Sequence, residues 1–448
     1  MKFCLTLAAT VLLGAISLEA HAQQPWLADR RYGEGIGVRV GNLELHPGVS
    51  GEFGYDSNYF LRAPSEDPLA AYRLRVTPAL SVSTLGPQRR ENGAAPAPSD
   101  VTFRGGIYAS YNELIAADSK HQSEMADQRH VDAGADALLT LFNTGRAGVD
   151  LYGNLVRMVQ PSNDTDTENA FNRDTVRAGG GVTWRPGGGL FDWRIGGEFE
   201  YNYFEKAGFS YLNNYQPNVN MRGRWRFLPR TAVLYDGSYT WVHYPNASAQ
   251  NDGSILRSRI GLNGLISTRF SLLAMIGWAG TFYDTRPTQT PQQFDSVTAQ
   301  AELKWFIGGQ GALNDSSAPV GLSYASLGYT RDVSNSYLGN FYQRDRGYVG
   351  ISYLLGGVFV ATLNAGIANL AFPESTTGGV QQAAFSEQRF DASLFGEYRL
   401  SNTFGLNTTI NYDQNITGVA IKTSPTDTGS DKLEFSRWQA FIGARWFL

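Results

Sequence analysis

The sequence predicts an all-β protein, a single-chain transmembrane antiparallel β-barrel of eighteen strands with short periplasmic turns and longer extracellular loops. Three observations predict it. In the closing segment Trp438, Ala440, Ile442, Ala444, Trp446 and Leu448 form one apolar row, while Arg437, Gln439, Gly443 and Arg445 lie between them, interrupted by Phe441. A strand sends successive side chains to opposite faces, so this segment has one face for lipid and one for water. Alternating segments of this kind recur from residue 43 to the end, joined by links that are short and long in rotation. Finally, an export signal opens the chain, and no later stretch is apolar for long enough to cross a bilayer as a helix.

Residues 1–22 read as a signal peptide: Lys2, an apolar run from Leu5 to Leu18, then the small-x-small site Ala20-His21-Ala22. Residues 23–42 are expected as a periplasmic N-terminal leader, and 43–448 as the outer-membrane β-barrel. Trp26, Arg30, Arg31, Tyr32 and Arg39 suit the leader for docking a partner or for plugging the periplasmic mouth; a disordered leader fits the composition equally. The strands are expected at 43–58, 70–85, 101–114, 130–142, 146–159, 174–187, 191–205, 215–227 and 230–244, then at 254–268, 269–284, 294–308, 317–333, 341–356, 357–372, 385–400, 403–416 and 434–448. Sixteen strands is the nearest alternative count. Short links fall near 143–145, 186–189, 228–229, 267–269, 356–357 and 401–402, and longer polar links alternate with them. That rhythm places both termini in the periplasm. The links 86–100 and 309–316 are the two long ones on the periplasmic side.

Arginine assigns the faces. Arg222, Arg224 and Arg226 share one face of a strand whose other face carries Val219, Met221, Trp225 and Phe227. One arginine facing lipid at the membrane centre costs about 2–4 kcal/mol, so three together require the wet side. The inferred lumen carries a basic ladder of Arg177, Arg194, Arg222, Arg224, Arg226, Arg257, Arg259, Arg344, Arg346, Arg389 and Arg399. Acidic partners on the same faces are Asp192, Glu198, Glu200, Glu302, Asp391 and Glu397. Either these charges pair along the wall, or the arginines attract a moving anion through weak repeated contacts. Aromatics near strand ends are expected in interfacial belts: Tyr55, Tyr59, Phe60, Trp184, Tyr203, Phe204, Trp225, Phe227, Tyr239, Trp241, Tyr244, Phe282, Tyr283, Trp305, Phe306 and Trp446.

Catalysis finds no support. His46, His121, His130 and His243 are too dispersed for a zinc motif, so no enzyme activity and no cofactor are expected. Gly33 to Gly37 lacks the Lys-Ser/Thr of a phosphate loop, and the acidic run 163–168 lacks the spacing of an ordered calcium loop. Basic and acidic residues nearly balance, at 37 and 41, which implies no nucleic-acid surface.

Gly41-Asn42-Leu43-Glu44-Leu45-His46-Pro47-Gly48, leading into Glu52-Phe53-Gly54-Tyr55-Asp56-Ser57-Asn58-Tyr59-Phe60, resembles the opening of a family of outer-membrane β-barrel porins that includes myxobacterial barrels associated with Wzx/Wzy-type exopolysaccharide export. The arginine-bearing interior is similar in general character to the alginate export porin. The resemblance implies an eighteen-stranded barrel that releases a secreted polysaccharide handed over by periplasmic polysaccharide-export proteins. The expected surroundings are outer-membrane lipids and the β-barrel assembly machinery, which would read Trp446, Phe447 and Leu448 as an insertion signal. Alternatives are a general small-solute diffusion porin, a lipid- or glycan-modifying enzyme, or a structural or adhesion barrel.

Overall fold

Strict alternation of apolar and polar side chains satisfies two solvents at once only if the sheet closes on itself, because an open edge would leave backbone donors unpaired in lipid. The computed structural model shows that closure. It describes residues 37–84, 100–159, 172–186, 189–246, 251–285, 292–307, 323–336, 340–356, 358–377, 380–421 and 431–448. The signal segment, the leader as far as residue 36, the acidic run 163–168, and the links 86–99 and 309–316 lie outside the described residues.

The barrel strands are β1 (Leu43–Asp56), β2 (Ala71–Thr84), β3 (Val101–Ala116), β4 (His130–Leu141), β5 (Ala147–Met158) and β6 (Arg173–Trp184). They continue as β7 (Phe191–Phe204), β8 (Asn214–Leu228), β9 (Thr231–Val242), β10 (Gly253–Leu265), β11 (Phe270–Tyr283) and β12 (Asp295–Ile307). The last are β13 (Ser323–Ser336), β14 (Asn340–Leu355), β15 (Phe359–Phe372), β16 (Phe385–Arg399), β17 (Phe404–Ile416) and β18 (Phe435–Phe447). Each pairs antiparallel with its sequence neighbours, and β18 pairs with β1 from Gly48↔Phe447 to Asp56↔Gln439, which closes the ring of eighteen. No described helix is long and apolar enough to cross a membrane.

The segment expected as a leader ends in structure. Val38–Val40 folds back on Leu43–Leu45 through a turn in which Gly41 takes φ +64°, a left-handed conformation that glycine tolerates. This strand pairs with the stretch of β1 that runs past the end of β18. The same stretch binds the chain's last residue, since the Leu448 amide donates to the Pro47 carbonyl at 3.0 Å.

Outward side chains form an apolar band. Ile276 is 62% exposed, Ile367 58% and Ile442 69%, values that in a water-soluble protein would be costly and that lipid removes. The row Trp438, Ile442 and Trp446 faces outward, as the closing segment predicts, and Phe441 points inward. Of the aromatics expected in belts, Trp184, Tyr203, Trp225, Phe227, Trp241, Phe282, Trp305 and Trp446 face outward, as a belt requires. The assignment fails for Tyr59, Phe60, Phe204, Tyr244 and Tyr283, which are buried. Tyr59 and Phe60 lie in the link after β1, and that link turns into the barrel mouth. Alternation within a strand says nothing about where a link turns.

Candidate functional site

Because opposite residues of antiparallel neighbours share a face, the register shows which charges meet in the lumen. Arg177 lies opposite Glu200, and its Nε donates to that carboxylate at 2.6 Å. Asp192 lies opposite Arg224 and accepts from its Nε at 2.7 Å. Arg194 faces Arg222 across the β7–β8 pair, an unfavourable match of like charges. Each therefore turns away. Arg194 forms a two-pronged pair with Asp150 at 2.9 and 2.5 Å, and Arg222 sits 3.5 Å from Asp236, which also receives Arg259 at 3.0 Å.

The remaining candidates mostly reach past the directly facing residue, to a strand further along the wall or along their own strand. Arg257 pairs with Asp332 at 2.8 Å, Arg344 stands opposite Asp332 in the register, and Arg346 reaches Asp391 at 2.5 Å. Glu198 and Glu302 accept from the tyrosine hydroxyls of Tyr152 and Tyr348 at 2.7 and 2.9 Å. Arg389 is buried beside Glu387 at 3.7 Å, and Arg399 approaches Glu397 at 3.2 Å. Arg226 lines the lumen with Arg222 and Arg224. Of the expected insertion signal, Trp446 faces outward, while Phe447 faces inward under the Arg445 guanidinium, 4.7 Å from its ring centre.

The lumen is not uniform around its circumference. From β5 to β12 the inner wall lines an open cavity of about 730 Å³, near the short turns that hold Asn143 and Arg185. Arg185, Arg194, Arg222, Arg224, Arg226 and Arg259 line it with Asp192 and Asp236. Adding Asp150, which holds Arg194, six guanidiniums meet three carboxylates, an excess of three positive charges. The Arg222 side chain is 70% exposed to this space.

From β16 through the β18–β1 seam to β3 the inner face is packed instead. Glu397 is enclosed by Arg445 at 2.5 Å and by Arg399, and Glu52 by Arg75 at 2.7 Å and Asn407 at 2.7 Å. Thr77 and Ser110 share a hydroxyl hydrogen bond of 2.8 Å. Phe441 lies across Gly54, where a Cβ would come within 2.2 Å of the ring, and the Arg75 guanidinium stacks on it at 4.7 Å. Phe395 of β16 packs against Tyr108 of β3, which belongs to a strand five places along the wall. This arc therefore curls around its own polar and aromatic side chains. Sequence reading noted Phe441 only as the interruption of a polar row and passed over Phe395 and Tyr108; the signal was an aromatic at an inward parity position, as Phe441 is among arginine and glutamine.

Among the described residues no group of His, Cys, Asp or Glu is arranged to hold a metal. An even-stranded closed barrel that is apolar outside and polar inside is an outer-membrane barrel.

No family model matches the chain, and no curated protein matches it either. Solved structures of similar architecture include Pseudomonas aeruginosa OpdK with vanillate, 12% identical, covering 90% of this chain and 99% of that one with a TM-score of 0.42. Pseudomonas aeruginosa OccK5 (OpdH) is 9% identical over 90% of this chain and 98% of its own, at 0.44. Acinetobacter baumannii OccAB4 is 10% identical over 91% and 98%, at 0.43. Likeness at this level concerns the barrel architecture alone.

Proposed function

We propose that the protein is a passive outer-membrane channel for small solutes, with a preference for anions. The observation that carries this reading is the open arc, where six arginines meet three carboxylates around an open cavity. Paired arginines still attract: a carboxylate holds one side of a guanidinium and leaves the other donors for a passing solute. The pairing also prevents the site from becoming a trap, since conduction needs binding weak enough to release. In this proposal the ladder works through Arg177, Arg194, Arg222, Arg224, Arg226, Arg257 and Arg259. Arg389 and Arg399 serve the wall. The assembly machinery reads the outward row that includes Trp446, and outer-membrane lipids cover that row.

The geometry supports small solutes over polysaccharide export. A polymer needs a wide, uninterrupted opening, and here one arc is filled with side chains while loop residues pack inside the extracellular end. Reconstitution in planar bilayers tests the reading: the account expects steady small-ion conductance and a reversal potential favouring the anion across a salt gradient. A barrel that stays silent, or prefers cations, contradicts it. Export of a polysaccharide would appear as block of that current by an acidic oligosaccharide and loss of the extracellular polymer in a deletion strain.

A further inference from the structure

The link between β1 and β2, residues 57–70, is bound into the barrel mouth by partners on the inner wall and on the neighbouring links. Asp56, fully buried at the top of β1, accepts from Arg437 Nε at 2.8 Å, from Gln439 at 2.7 Å and from Arg73 at 3.4 Å. It also receives the Asn58 amide at 3.2 Å, so the charge hub fixes the first residues of the link. The Asn58 side chain then clamps the link on itself, donating to the Arg62 carbonyl at 2.7 Å and accepting from the Arg62 amide at 2.9 Å. Tyr59 lies over the Arg73 guanidinium, 5.8 Å from ring centre to charge, and packs with Phe60, Leu114 and Met125. Leu61 packs on Leu433 and Phe435, and Arg62 reaches Glu124 of the short helix Gln122–Ala126 at 3.5 Å.

Arg73, Leu114, Phe435 and Arg437 all occupy inward positions of their strands, so the link spans from β18 to β3 inside the barrel outline. Leu61, buried, holds φ +57°, a left-handed conformation that a bulky side chain avoids unless its surroundings impose it. A link that only projected into water would relax. This one is held.

We propose that residues 57–70 are the size-selecting constriction of the passage, a fixed insert tied to the wall by the Asp56 hub and by Leu61. The inference rests on the channel reading above and assigns the element that limits solute size. Open-arc arginines choose charge; this insert chooses bulk.

The test compares the wild-type barrel with two variants in planar bilayers. In the first, Phe60–Pro68 is replaced by Asn-Gly, because the Tyr59 amide already donates to the Leu69 carbonyl at 2.9 Å and a two-residue turn can close that gap. The second is Asn58→Ala, which releases the clamp together with the side chain's hydrogen bond to the Ser436 carbonyl of β18 at 3.2 Å and alters no strand residue. Heat-modifiable gel mobility confirms that each barrel is folded, and polyethylene glycols of increasing size probe the exclusion limit. The inference expects conductance to rise about twofold or more in the shortened barrel. It expects admission of larger polymers there, with a smaller, noisier rise for Asn58→Ala. Equal conductance and equal exclusion limit in folded wild-type and shortened barrels overturn the constriction and leave the channel reading standing. A silent wild type beside a conducting shortened barrel supports the insert as a seal and sinks the open-channel reading. Silence in both sinks both.

Discussion

The two arcs of the barrel use the same residue types for opposite ends. In the open arc the carboxylates of Asp150, Asp192 and Asp236 are 20%, 23% and 28% exposed. In the packed arc those of Glu52, Asp56 and Glu397 are 1%, 0% and 0% exposed. An exposed pair contributes only about 0–1 kcal/mol, because water screens it and both side chains lose freedom. A buried carboxylate without its partner costs about 3–5 kcal/mol. The difference teaches that a lumen arginine is open to a solute, as the proposed function requires, only where its carboxylate is also wet. Where the carboxylate is dry, the pair is part of the wall.

The largest expected effect lies in the packed arc. Arg445→Met leaves the buried Glu397 with Arg399 alone and is expected to destabilise the folded barrel by about 3–5 kcal/mol. Tryptophan fluorescence during urea unfolding from lipid vesicles measures it, and an unchanged midpoint would erase the distinction between the arcs. Next, Ile442→Arg places a charge on the lipid face and is expected to cost about 2–4 kcal/mol and to slow insertion. The same assay, with folded yield, decides it. Smaller again, Arg222→Gln is expected to leave stability within about 1 kcal/mol and to lower the anion-to-cation permeability ratio about two- to threefold. Unchanged selectivity would remove Arg222 from the ladder.

The smallest effect concerns acid. Glu205, just beyond β7, is held below the usual glutamate range by its hydrogen bond from Arg157, despite the opposing effect of burial. Its folded value lies below its unfolded one, so the pair contributes above the ordinary glutamate pKa. That contribution is lost as pH falls through the depressed value. Glu205→Gln should therefore lower Tm slightly at neutral pH and converge with wild type in acid, as thermal melts across pH would record. Parallel curves at every pH would refute the pairing.

Strand number, order and face were legible in the sequence because each depends on local alternation: Arg222, Arg224 and Arg226 could face only water. Boundaries were less so, as β10 at Gly253–Leu265 against an expected 254–268 illustrates. Strand ends depend on where the partner stops, which is a long-range fact. The aromatic roles of Tyr59 and Phe60 were misread for the same reason. Their surroundings come from Leu114 and Met125, more than fifty residues away in the chain. The split between open and packed arcs was equally hidden, since Glu397 and Asp192 look alike in a strand and differ only in what closes over them.

Substituted-cysteine labelling tests the central claim most directly, because Cys4 is the only cysteine in the sequence. In a Cys4→Ser background, Arg222→Cys and Ser50→Cys barrels in lipid vesicles would be treated with a charged, membrane-impermeant methanethiosulfonate. The account predicts rapid labelling at 222, with a change in current, and protection at 50, where the inward serine is 1% exposed. Equal labelling at both positions, or protection at 222 with reaction at 50, would contradict it.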